Sequence, residues 1–336
     1  AVFDTTVLGM PENTDTDEYF EDCEVVVTGR FLNQRVAPCP LEVRGSAATW
    51  VDGRLHQWLS TQHAQGVKAP IAAANGVEAD KVRIITPDVG GAFGAKIGTY
   101  AEEMLLGPIS KALGRPVRWR ETRSESMMNM GHGRAQLQYV TIGGTRDGRV
   151  THYQLHLFQD AGGFMDVGGV LGFAMTRPMV QAVYDIANVE CRATTVLTNT
   201  TPTVPYRGAG RPEATAAAER AMDLFAAEIG KDPAEVRRMN LIPKFLESHA
   251  TAIGHTYDVG DYEGALDKAL EAAGYADLRG RNDFGVSEPF LVEYVKPGPP
   301  NIIDVRNLDT GDQSSPIDAN DRLLIFGDNF YDPLTL

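Results

Sequence analysis

Two glycine-rich segments hold the residues best suited to chemistry. The first is Asp88-Val89-Gly90-Gly91-Ala92-Phe93-Gly94-Ala95-Lys96. Where side chains are absent, backbone N–H groups approach an anion or an oxo group without interference from Cβ atoms, and a strand–loop–helix order aims them at one point. Its glycine spacing matches neither GxGxxG nor GxxxxGK, so a nucleoside-triphosphate loop is excluded, and a tight structural turn is the plain alternative. The second segment is Thr203-Val204-Pro205-Tyr206-Arg207-Gly208-Ala209-Gly210-Arg211-Pro212-Glu213-Ala214. Its two arginines flank exposed backbone and offer guanidinium forks to a carboxylate, a phosphate or an electron-rich substrate oxygen. A capping or ion-pairing role is the alternative for Arg207, and Tyr206 reads as a wall residue rather than an acid. His152 and His156 form the one i,i+4 histidine pair, but in a strand four residues span about 13 Å, so no metal site is expected there.

The first segment needs a strand before it and a helix after it. Residues 81–86 (KVRIIT) are rich in β-branched residues and read as that strand, and 99–113 read as the helix. Residues 24–31 read as another strand, and 132–158 as a longer pair broken at Gly143-Gly144 and Asp147-Gly148. The second segment runs into a helix over 212–229, with Pro212 in its first turn, Glu213 near its positive end and Gly230 as its stop. Further helices are read at 62–75, at 233–239 behind Asp232, and at 261–273 between Asp261 and Gly274. The expected fold class is α+β, with mixed sheets and helices and no internal repeat.

Composition bounds the rest. The chain has 336 residues, 43% hydrophobic and 23% charged, which is ordinary for a globular protein of about two domains. Its net charge of −14, without a basic cluster in the sequence, argues against a nucleic-acid partner. No apolar run approaches the roughly 18 residues of a membrane span. The first twenty residues are acidic rather than a secretory signal, and Ala1 stands where an initiator Met would, so the chain reads as processed or excised. Cys23, Cys39 and Cys191 lack metal-site spacing, and Cys39 and Cys191 are expected to be small buried residues in a reducing cytoplasm. The stretch Glu12 to Glu24 reads as a solvated acidic face. Composition changes near residue 281: the last 56 residues carry −6 against −8 in the other 280. The reading is therefore a domain over 1–280 and a small acidic β-rich module or extension over 281–336, whose residues 299–330 are faintly similar to an immunoglobulin-like module.

Taken together, DVGGAFGAK and YRGAGRPEA resemble the large subunits of the molybdenum hydroxylases, the xanthine oxidase and aldehyde oxidase family, and within it the carbon monoxide dehydrogenase branch. GRFLNQRVAPCPLE at 29–42, DGRLHQWLSTQ at 52–62, GRPVRWRETRSESM at 114–127 and GHTYDVGDYEGALDKAL at 254–270 fall in the same family order. The resemblance, over about 20–280, implies the first half of a molybdopterin-binding domain. It implies molybdopterin with Mo, in the cytosine dinucleotide form, with FAD and 2Fe-2S clusters on an FAD-binding medium subunit and an iron–sulfur small subunit of a hetero-oligomer.

Residue by residue, the resemblance puts Gly91, Ala92, Phe93 and Gly94 over the metal, with the Phe93 and Gly94 amides toward its apical ligand. Arg207 serves cofactor and substrate, and Tyr206 and Gly208 line the substrate pocket. Ala92 stands where the family commonly has glycine; if φ there is positive, it costs about 1 kcal/mol. Gly208 stands where the carbon monoxide dehydrogenases hold copper on a cysteine, so the implied substrate is an aldehyde or an N-heterocycle hydroxylated with water as the oxygen source. The family's catalytic glutamate and its glutamine-rich pterin segment have no counterpart here. Glu288 and Glu293 sit in unrelated context, so no catalytic residue and no metal ligand is assigned in this chain. The competing reading is a non-catalytic remnant or scaffold.

Overall fold

The computed structural model describes residues 2–4, 12–280, 290–291 and 306–307. In chain order the principal strands are Val2–Asp4 (β1), Val25–Val36 (β2), Gly45–Val51 (β3), Arg54–Leu59 (β4), Val82–Ile85 (β5), Val117–Arg120 (β6), Gly133–Gly144 (β7), Val150–Gly162 (β8) and Asn188–Leu197 (β9). The helices are Thr16–Tyr19 (α1), Lys68–Ala74 (α2), Ala101–Leu113 (α3), Arg123–Asn129 (α4), Val167–Thr176 (α5), Arg211–Glu228 (α6), Pro233–Asn240 (α7), Tyr262–Ala272 (α8) and Tyr275–Gly280 (α9). The α+β expectation is met by two mixed sheets, each with helices packed against it.

The larger sheet has the order β1–β9–β8–β7–β2, with only β8 and β9 parallel. Alternation along β7 and β8 turns Val140, Ile142, Tyr153, Leu155 and Leu157 into one core, where they meet α6. Helix α6 can lie close because the face it buries is Ala214, Ala217, Ala218, Ala221, Met222 and Phe225, small residues at helical spacing with two larger ones filling the gaps. The smaller sheet has the order β5–β4–β3–β6, in which β4 and β5 are parallel and joined through α2. Its inner face (Ala48, Leu55, Leu59, Val82) packs against Ile71 of α2 and Leu106 of α3.

Several sequence expectations need correction. The helix read over 62–75 begins only at Lys68; residues 62–67 are turns and carry Gln62. The strands β1, β3, β4, β6 and β9 and the helices α1, α4, α5 and α9 are additional to the elements read from sequence. Cys191 is buried as expected, but Cys39, between Pro38 and Pro40, is exposed and sits at φ 46°. The acidic residues from Glu12 to Glu24 are all exposed, as a solvated face requires.

Packing divides the chain into two units, Ala1–Gly260 and Asp261–Leu336. In the second, α8 is capped by Asp261, which accepts from the Gly264 N–H at 3.1 Å, and Gly274 follows at φ 61°. The division by packing falls after Gly260, whereas the change in composition falls near 281. Glu288, Glu293 and most of the acidic segment 281–336 lie outside the described residues.

Candidate functional site

The first loop leaves β5 at Ile85 and reaches α3 at Ala101. Its shape comes from Gly91, Phe93 and Gly94 at φ 102°, 54° and 104°. Ala92 is outside the left-handed region, so the strain falls on Phe93 and the alanine carries none. At Gly94 a Cβ would stand 2.2 Å from the Pro205 carbonyl oxygen, which only glycine avoids.

Buried charge clamps this loop from below. Lys96 is 1% exposed; its Nζ donates to the Glu42 carbonyl at 2.8 Å and to Ser60 Oγ at 2.9 Å, and stands 3.5 Å from the Glu42 carboxylate. That carboxylate also accepts from the Gly90 N–H. Burial alone would raise the Glu42 carboxyl, but the Gly90 N–H and the Lys96 ammonium outweigh it and hold it below the usual range. Burial pulls the Lys96 ammonium down more than Glu42 lifts it. The Lys96 carbonyl accepts from Thr61 Oγ1 at 2.9 Å and the Gln62 N–H at 3.0 Å, and Gln62 Oε1 accepts from the Gly94 N–H at 2.9 Å.

Beneath the clamp, Arg44 is fully buried and meets Glu121 through Nη2 at 2.7 Å, with its guanidinium 3.9 Å from the centre of the Tyr100 ring. Buried beside it, Glu103 accepts from the Tyr100 N–H at 3.0 Å. Desolvation pushes the Glu103 carboxyl up to about 7 despite that bond and Arg44.

The second loop is held differently. Gly208, Ala209 and Gly210 lie in succession at φ 94°, 40° and 98°. At Gly210 a Cβ would meet the Gly172 carbonyl of α5 at 2.0 Å, while Thr176 Oγ1 donates to the Gly210 carbonyl at 3.0 Å. Arg134 passes underneath and donates to the carbonyls of Tyr206 at 2.9 Å and Arg207 at 2.8 Å. Its guanidinium lies 4.6 Å from the Tyr206 ring centre and 3.4 Å from buried Glu213. Glu213 in turn accepts from the Gly210 N–H at 2.8 Å and so caps α6.

The Arg207 N–H donates to the Phe93 carbonyl at 2.9 Å, which brings the two sequence-selected segments into one place. Tyr206 is half-buried and Arg207 is exposed. Among the described residues the Arg207 guanidinium has no acidic partner and the Phe93 N–H has no protein acceptor. Those unspent donors fit a bound anionic group, while the missing Cβ at Gly94 makes room for Pro205 and lets the two loops close on one another. The Gly94 N–H, by contrast, is taken by Gln62. The carboxylates touching the loops, Glu42 and Glu213, are both engaged, so neither is free to act as a base.

Sequence reasoning missed four residues of this arrangement: Glu42, Gln62, Arg134 and Glu213 as a carboxylate that serves both Gly210 and Arg134. Gln62 had a signal, since it ends the DGRLHQWLSTQ segment; Arg134 had none beyond its charge at a strand start. His152 and His156 sit on β8 as read, His152 Nδ1 lies 3.3 Å from Cys23 Sγ, and no group of three metal-ligating side chains occurs among the described residues.

Residues 4–241 match the molybdopterin cofactor-binding domain. The chain belongs to that family. Among curated relatives it is 31% identical over 313 residues to the carbon monoxide dehydrogenase large chain of Hydrogenophaga pseudoflava, covering 88% of this chain and 39% of that one. It is also 31% identical over 274 residues to the nicotine 6-hydroxylase large subunit of Paenarthrobacter nicotinovorans, covering 80% and 33%. In structure it superposes on quinoline 2-oxidoreductase from Pseudomonas putida 86 with a TM-score of 0.77 at 27% identity, covering 85% of this chain and 36% of that one. The chain thus spans 33–39% of the length of these three relatives. No helix among its described residues is long and apolar enough to cross a membrane.

Proposed function

We propose that this chain is the molybdenum-cofactor-binding part of a cytoplasmic oxidoreductase that hydroxylates an aldehyde or an N-heterocycle, with water as the oxygen source. The observation that carries the reading is the meeting of the two loops, where the Arg207 backbone bonds the Phe93 carbonyl and both the Phe93 amide and the Arg207 guanidinium stay without a protein partner among the described residues. Molybdopterin with Mo, in the cytosine dinucleotide form, supplies a two-electron acceptor when bound. The chain's own residues would then have definable tasks: Gly91, Ala92 and Phe93 would offer backbone to the bound group, Gly94 lets the first loop close onto Pro205, and Arg207 would orient an electron-rich substrate atom with Tyr206 and Gly208 beside it.

Gly208 offers no thiolate, which favours organic substrates over a copper-assisted reaction. The nicotine and quinoline enzymes among the relatives support an N-heterocycle. Electrons would leave through 2Fe-2S clusters and FAD on an iron–sulfur small subunit and an FAD-binding medium subunit. The base would come from a polypeptide outside the described residues, since Glu42 and Glu213 are committed elsewhere. Production with its genomic companions in a molybdenum-competent host, followed by metal and pterin analysis, tests the reading. Molybdenum and pterin should co-purify with the chain; a complex containing neither would sink it.

The engaged state of Glu42 and Glu213 favours one second reading, a remnant that binds the cofactor without turnover. Loaded protein that fails to reduce an artificial electron acceptor with any aldehyde or N-heterocycle, even with all companions present, would favour that alternative.

A further inference from the structure

The outer face of the smaller sheet carries a groove that the loops do not use. Its inner neighbours Ser46, Ala48 and Leu59 are buried, and alternation turns Gly45, Ala47, Trp58, Arg118 and Arg120 to the opposite side. Cross-strand pairing sets Ala47 between Trp58 and Arg118, and Gly45 opposite Arg120. The small residues make a floor, and the tryptophan and the two arginines make walls around about 400 Å³. That volume is ordinary for a small-molecule site. Trp58 is 41% exposed, unusual for the largest apolar side chain on an otherwise open sheet face.

Charge makes the groove selective. Arg118 and Arg120 are exposed, stand on one side of an edge strand two residues apart, and have no acidic partner among the described residues. Two carboxylates also line the groove. Glu42 is neutralised by Lys96 and the Gly90 N–H, which leaves Asp88, exposed at the rim, as the one uncompensated acid against two guanidinium groups. In a chain of net charge −14 this local excess of positive charge is the reverse of the general surface.

We infer that this groove binds a small planar aromatic anion, whose ring lies on Trp58 and whose carboxylate or phosphate is held by Arg118 and Arg120. A flat π-face beside a pair of forked donors recognises that combination and neither half of it alone. The groove shares no residue with Tyr206, Arg207 or Gly208, so its failure would leave the oxidoreductase reading standing. Because Glu42 and Ser60 line the groove and also hold Gly90 and Lys96, its occupancy would be felt by the first loop.

The three tryptophans, Trp50, Trp58 and Trp119, provide the test. Labelled with 5-fluorotryptophan, the full chain gives three fluorine resonances, assignable by single Trp→Phe variants. Trp50 lies on the inner face with its Nε1 bonded to the Gly107 carbonyl, and serves as the internal control. Titration with 2-naphthoate should move the Trp58 line saturably and leave Trp50 in place. The neutral 2-naphthamide and the ringless acetate should each bind about ten-fold more weakly or worse, and Arg118→Gln with Arg120→Gln should weaken 2-naphthoate by a similar factor, as expected for loss of a charged hydrogen bond. An unmoved Trp50 line in the double variant verifies its fold. Equal binding of naphthoate and naphthamide, or full binding by the double variant, overturns the inference. So does a Trp58 response to poly-L-glutamate with none to 2-naphthoate, which would assign the face to an acidic polypeptide.

Discussion

The two loops that meet at Phe93 and Arg207 are held in opposite ways. The loop at 90–96 is fixed by ions: Lys96 and Glu42 clamp its ends, and Arg44, Glu121 and Glu103 fill the space beneath. The loop at 203–211 is fixed by shape: three successive residues in the left-handed region, with glycine where the α5 carbonyl leaves no room, and one arginine threaded below its carbonyls. Ions serve both loops, since Arg134 below the second is paired with Glu213, but only the first has a buried lysine and a carboxylate clamping its ends. The first loop is thus the one whose hold depends most on charge, and the second the one whose hold depends most on backbone shape.

The strongest way to break this pairing is at the point where the loops touch. Gly94→Ala forces a Cβ to 2.2 Å from the Pro205 oxygen at a φ of 104°, and should destabilise the domain by about 4 kcal/mol. A fall in melting temperature would register it; wild-type stability would mean that the loops do not bear on one another.

The ionic side is tested by pH. The folded-state pKa of Glu103, raised to about 7, lies above the 4.5 of an unperturbed glutamate, so the folded protein binds that proton more tightly than the unfolded chain. This contribution is complete below about 4.5 and is lost as pH rises through about 7, a change on the order of 3 kcal/mol. Glu103→Gln keeps an acceptor for the Tyr100 N–H and should flatten that part of the profile in denaturant titrations. An unchanged slope would remove Glu103 from the account.

On the steric side, Arg207→Met should leave the melting temperature alone, because the loop is held by its backbone. In a reconstituted enzyme kcat/KM should fall by about one to three powers of ten, the loss of a charged hydrogen bond to substrate. A lower melting temperature with intact kinetics would instead make Arg207 a structural ion-pair member. The smallest effect is expected at Ala92. Since its φ is not positive, Ala92→Gly relieves nothing and should cost about 0.5–1 kcal/mol through chain entropy. Stabilisation by glycine would show that the loop is strained there after all.

Much of this arrangement could be read from the chain. Glycine spacing announced both loops, proline and glutamate announced the start of α6, and β-branched runs announced β2, β5, β7 and β8. Strands β3 and β4 escaped because GSAATWV and RLHQWL alternate small, polar and aromatic residues, a pattern that becomes strand-like only once α3 and its neighbours cover one face. Helix α5 escaped because VGGVLGFAMT has three glycines, each of which matters only through what it packs against. The residues that hold the site were the least legible. Glu42 lies 54 residues from Lys96 and Arg134 lies 79 from Glu213, and no local pattern encodes such partnerships. Arg118 and Arg120 belong to no basic run, and their proximity to Trp58 appears only when three strands are laid side by side.

The bond from Arg207 to Phe93 also has a meaning in time. Its two ends lie on loops that follow strands of different sheets and are separated by 114 residues, so it is among the contacts whose closure waits for both sheets to form. A chain only partly folded, with either sheet incomplete, lacks this meeting of the loops altogether. The junction at Phe93 and Arg207 is therefore made late, and only on molecules in which both sheets are complete.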